Sequence, residues 1–176
     1  VREHARKIIM LAGCVQPTML PNINVATARV LDAVGIQTLV MGESKCCGAI
    51  NFHLNDHEAA KVQMRANIDA WWPAIEAGAE SIVMNASGCG VMVKDYGHIL
   101  ADDAQYAEKA KRVSALTQDL SGLLPALLPD ISAQLRTVNP QFEARRAAGE
   151  LPKLAYHPPC TLQHGQQLKG GVERHL

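Results

Sequence analysis

Three times in the first half of this chain, a short apolar run is followed by cysteine. "KIIMLAG" (7–13) leads into Cys14, "IQTLVMG" (36–42) into "ESKCCG" with Cys46 and Cys47, and "SIVMN" (81–85) into "ASGCG" with Cys89. Apolar runs of this length, closed by turn residues, read as buried strands. The stretches between them read as helices. "NINVATARVLDAVG" (22–35) carries apolar residues at Val25, Ala28, Val30, Leu31 and Val34 and stops at Gly35, a glycine C-cap. "DHEAAKVQMRANIDAWWPAIEA" (56–77) has Asp56 as N-cap and Pro73 as a kink or break, and Gly78 ends it. Strands joined by helical crossovers lie parallel. The prediction is an α/β fold: a mainly parallel sheet, helices on both faces, and cysteines at the C-terminal edge of the strands. Sites of open sheets collect at that edge.

Further along, Val91 to Leu100 is amphipathic, and Asp102 and Asp103 suit a helix N-cap region. "RVSALT" (112–117) is expected as a fourth strand, with a helix over 117–135 broken near Pro125 and Pro129. Of the two adjacent tryptophans, one of Trp71 and Trp72 should anchor the core and the other be partly exposed. After the polar stretch 139–153, "LAYHPPC" (154–160) repeats the pattern of "IIMLAGC". This divides the chain into a first domain, 1–150, and the start of a truncated second, 151–176, which takes Cys160.

Seventeen basic and seventeen acidic side chains cancel, so no long-range field draws in nucleic acid or an anionic membrane. Aromatic residues make up 4%, too few for base-stacking platforms. No apolar run reaches the length of a spanning helix and no signal peptide opens the chain, so the expected location is cytoplasmic, at most peripheral to a membrane. The start at Val1 suggests a processed or excised piece.

Five cysteines without a secretory signal are expected as thiols or ligands rather than disulfides. Cys46 and Cys47 do not bond to each other, because neighbouring Cα atoms lie closer than disulfide geometry requires. The spacing is Cys14, 31 residues, Cys46-Cys47-Gly48, 40 residues, Cys89. A single cysteine at a strand end is more often core filling than ligand. Four at equivalent positions reverse that weighting and fit a soft metal centre, iron-sulfur or zinc. Zinc sites usually take close C-x₂₋₄-C pairs, which are absent, whereas an adjacent pair suits a cluster whose separate irons accept neighbouring sulfurs. The glycines of the cysteine turns, Gly48, Gly88 and Gly90, are expected to let the backbone approach the centre and to offer it N–H groups. Two competing readings are a colourless zinc-binding or docking domain, and thiol catalysis with His53 or His57 as base.

Cys14, "CCG" at 46–48 and Cys89 resemble the CCG cysteine-rich domain of heterodisulfide reductases and of iron-sulfur subunits of respiratory-type dehydrogenases. "HPPC" (157–160) is similar to the opening of that family's second copy. "GCVQPTMLPNINVATARVL", "CCGAINFHLND" and "NASGCGVMVKDYGH" resemble the glycolate oxidase branch of iron-sulfur subunits most. The resemblance implies electron transfer through an iron-sulfur cluster, [4Fe-4S] in type, on Cys14, Cys46, Cys47 and Cys89. It also implies a flavin-containing partner subunit that oxidises glycolate to glyoxylate, with lactate, glycerol 3-phosphate or heterodisulfide complexes as alternatives. Catalysis would lie with the partner and not with this chain. Ala86 stands where the fullest family motif has a fifth cysteine, which leaves the cluster type open. The family's two upstream ferredoxin-type motifs have no counterpart here.

Overall fold

The computed structural model describes residues 2–175. The apolar runs become β1 (Arg6–Met10), β2 (Ile36–Leu39) and β3 (Ile82–Met84), joined by a short β4 (Thr117–Asp119). All four strands are parallel, in the order β2-β1-β3-β4. The helices are α1 (Gln16–Met19), α2 (Pro21–Ala33), α3 (Ala49–His53), α4 (His57–Glu76), α5 (Ser87–Lys94), α6 (Tyr96–Ile99), α7 (Ala107–Leu116), α8 (Leu120–Val138) and α9 (Phe142–Ala147).

Alternate strand residues feed two cores, as the period of two in a strand requires. On one face Ile9, Ile82 and Met84 pack with Met64, Ile68 and Trp71 of α4, with α5, and with Val113 of α7. On the other, Ile8, Ile36 and Val83 pack with Leu31 of α2 and Leu127 of α8. Both faces are covered, as the alternation predicts. The chain leaves β1 toward one edge for β2 and later passes back over it to β3. The carboxyl ends of β1 and β3 therefore flank the point where strand order reverses, the place where open α/β sheets form their crevice.

Asp56 caps α4, accepting the Ala59 N–H at 3.2 Å. Helix α4 runs through Pro73, which lies in its last turn. Trp71 is fully buried and Trp72 is partly exposed beneath the Lys109 ammonium, as expected of the pair. Asp103 accepts the N–H groups of Gln105 and Tyr106 just before α7.

Three expectations are corrected. "RVSALT" belongs to helix α7, not to a strand: Ala110 and Val113 bury one helical face, and pairing begins only at Thr117. Helix α8 does not break at its prolines. Pro125 and Pro129 lie four residues apart on its exposed side, where water can take up the carbonyls their missing N–H groups leave free. The run 154–159 forms no strand. It leads instead into a π-helical turn, Thr161–Gly165, packed against α5. Among the described residues no helix is long and apolar enough to cross a membrane.

Candidate metal centre

Each strand hands a cysteine to the same rim. After β1 the chain turns at Gly13, whose φ is +82°, and presents Cys14. After β2 a loop carries Cys46 and Cys47 to Gly48, the left-handed residue that starts α3. After β3, extended Ala86 opens α5, and Cys89 sits in the first turn of that helix.

The four thiols lie close enough to shift one another's titration, and Cys14 Sγ donates to Cys46 Sγ at 3.4 Å. Donation to Cys89, then burial, pushes the Cys47 thiol far above its ordinary range. The same bond holds Cys89 below its ordinary value, against burial. Desolvation and the bond to Cys46 raise Cys14. Cys47 is buried in the α4 core, while Cys14 is exposed at the mouth. Beside Cys14 and Cys89 opens a cleft of about 420 Å³, walled by Val15, Met19, Leu20 and Ile23 and floored by Asn85 and Ala86.

Three or more cysteine thiols in contact are soft donors suited to iron or zinc. Among the described residues, however, no three His, Cys, Asp or Glu side chains form a ready ligand set around one ion. Four thiols gathered on one rim without such a set suit a group several ångströms across better than a single tetrahedral ion.

Two polar networks hold the rim, and neither was anticipated from the sequence. Asn67, on the apolar face of α4, accepts the Lys45 N–H at 2.6 Å and donates to the Cys46 carbonyl at 2.9 Å and to Tyr96 Oη at 3.1 Å. Tyr96 Oη donates to the Cys47 carbonyl at 2.8 Å. Both side chains are fully buried, and burial keeps the Tyr96 hydroxyl protonated. On the Cys14 side, Asn85 accepts from Gln16 and donates to Asn24 and Thr27, while Asn24 donates to the Ala12 carbonyl. The detectable signal is a polar residue breaking an apolar stripe: Asn67 falls among Ala60, Met64, Ile68, Trp71 and Ile75.

The glycines differ in role. A Cβ on Gly48 would lie 3.3 Å from the Ala60 carbonyl, so the missing side chain makes room for α4. A Cβ on Gly90 would strike the Gln166 amide nitrogen, and its N–H already bonds the Ala86 carbonyl at 3.0 Å. Gly88, exposed in the first turn of α5, has an N–H that no intrahelical carbonyl can reach. Cys160 is exposed and among the described hydrogen bonds meets no other cysteine, but its neighbour Thr161 hydrogen-bonds Ser87 at 2.6 Å. His57 stacks on Phe52 with ring centroids 4.6 Å apart, and His53 meets that ring edge-on. Among the described hydrogen bonds neither histidine pairs with a cysteine.

Residues 8–94 match the cysteine-rich domain family, CCG. The chain is 50% identical to the glycolate oxidase iron-sulfur subunit of Escherichia coli K12 over 99% of its own length and 39% of that protein's. It is 30% identical to the probable glycolate oxidase iron-sulfur subunit of Bacillus subtilis over 69% of its length and 27% of the relative's. Lactate utilization protein A of Exiguobacterium is 26% identical over 88% of this chain and 57% of that protein. The chain thus spans well under two thirds of these relatives. No solved structure matches it. With its three strand-end cysteine turns brought to one rim and its match over residues 8–94, the chain belongs to the CCG cysteine-rich domain family.

Proposed function

We propose that this chain is an electron-transfer portion of a glycolate oxidase complex, binding an iron-sulfur cluster through Cys14, Cys46, Cys47 and Cys89. The observation that carries the reading is the gathering of four thiols on one rim, with Cys14 bonded to Cys46, at the switch point of the sheet. When bound, such a cluster accepts and releases single electrons. The chain's own part is to supply thiolates, bury the inner pair and leave Cys14 at the mouth. Of the three glycines, Gly48 and Gly88 offer N–H groups to the centre, while Gly90 makes room for Gln166. Four thiols favour a [4Fe-4S] cluster, and the lack of a ready single-ion ligand set among the described residues weighs against a lone zinc ion. The apolar cleft beside Cys14 suits contact with another subunit, a flavin-containing one that performs the glycolate oxidation. Residues 151–176, with Cys160, open a second domain of the same type. Identity of 50% against 26% favours glycolate over lactate as the complex's donor.

The test is iron, sulfide and zinc content with an EPR spectrum of the full-length polypeptide, purified or reconstituted without oxygen, beside Cys47→Ser. Near-stoichiometric iron and sulfide, lost in the variant, is the expected result. Zinc alone, or an intact fold that takes up neither, sinks the reading.

A further inference from the structure

The buried pair Asn67 and Tyr96 does more than fill the core behind the cysteine loop. Together they bind three consecutive backbone groups: the Lys45 N–H, the Cys46 carbonyl and the Cys47 carbonyl. All described peptides are trans. In a planar trans peptide the N–H points opposite to the C=O of the same unit. Drawing both carbonyls inward therefore turns the Cys47 and Gly48 N–H groups away from the pair. The next residue along, Ala49, opens α3 and has an N–H with no intrahelical carbonyl to reach. Successive N–H groups around a left-handed residue such as Gly48 make a small concavity that favours negative charge.

We infer that Asn67 and Tyr96 are positioning residues that aim the Cys47 and Gly48 N–H groups at the sulfur rim and thereby set the reduction potential of the centre held there. The inference rests on the iron-sulfur reading proposed above. Neither side chain reaches a sulfur. Each acts through the backbone it holds, and N–H donors to thiolate or sulfide stabilise the more negative, reduced state. The dry surroundings suit this role: both residues are fully buried, so no water competes for the two carbonyls.

Tyr96→Phe removes one hydroxyl and keeps the ring. Asn67→Leu, close in volume, removes the other partner. Ser114→Ala is the control, because Ser114 Oγ accepts the Gly97 N–H at 2.9 Å, one residue from Tyr96, without touching the cysteine loop. In the full-length polypeptide, Tyr96→Phe and Asn67→Leu are expected to retain iron and sulfide, with a more negative reduction potential and altered EPR g values. Ser114→Ala should lose stability with an unchanged potential. A folded Tyr96→Phe chain that no longer takes up iron, beside a Ser114→Ala chain that does, also assigns the pair to the site. Loaded variants with unshifted potential and spectrum, or an equal shift in Ser114→Ala, overturn the inference while leaving the iron-sulfur reading standing. A wild-type polypeptide that binds no iron and sulfide overturns both.

Discussion

Among single residues, Gly48 separates what a motif suggests from what packing requires. The glycine after the cysteine pair reads as a tight turn beside a cofactor. In the fold its φ is +94°, and the space where a Cβ would go is closed by α4. Gly35 has a similar φ of +77° with open space around it, so the two isolate separate costs. Gly35→Ala is expected to destabilise by about 1–2 kcal/mol, the cost of holding an L-residue left-handed. Gly48→Ala should cost more, because the Ala60 carbonyl must also yield. Urea midpoints of both variants check this, and equal losses would show that α4 accommodates the methyl. That Cys14, Cys46, Cys47 and Cys89 share one rim was legible from position alone, since the strands of a parallel sheet all end on the same edge. Asn67 and Tyr96 were not, because their value lies in meeting each other across 29 residues of sequence.

Among elements, β1 is tied to the edge of the fold through α2. Asp32, in the last turn of α2, accepts the Arg2 backbone N–H at 2.8 Å and pairs with His4 at 2.9 Å. The Arg2 backbone bond first, then the His4 bond, hold its carboxyl down at about 2. A depressed carboxylate stabilises the fold above its unfolded pKa of about 3.9 and loses that contribution as pH falls to its folded value. The stability advantage of the wild type over Asp32→Asn should therefore be full at pH 5 and shrink between about pH 4 and pH 2. Denaturant unfolding across that range measures it, and a constant difference would mean the carboxylate contributes nothing through its charge. Elsewhere, the assignment of 112–117 as a strand fails because six residues are too few to separate a period of two from one of 3.6. Helix α7 wins there because Ala110 and Val113 find the α5–α6 side of the core.

In the molecule as a whole, the segment beyond Cys160 is joined to the cysteine rim through α5. Leu162 is buried, Thr161 bonds Ser87, and Gln166 donates to the Ser87 carbonyl across Gly90. Gly90→Ala should dislodge Gln166 and speed amide exchange over 161–168, while β1 and β3 keep their protection. Hydrogen exchange followed by mass spectrometry reads both, and an unchanged 161–168 would show that the segment shifts without detaching. The sequence alone determined the parallel sheet, its two covered faces and the edge on which the cysteines stand. These follow from periodicity and chain connectivity, which are local properties. Only the tertiary structure decided that β3 lies beside β1, that Cys14 meets Cys46 on the rim shared with Cys47 and Cys89, and that Asn67 and Tyr96 grip the loop carrying the cysteine pair. Those relations join residues far apart along the chain, and they form only when packing of the two cores closes the sheet.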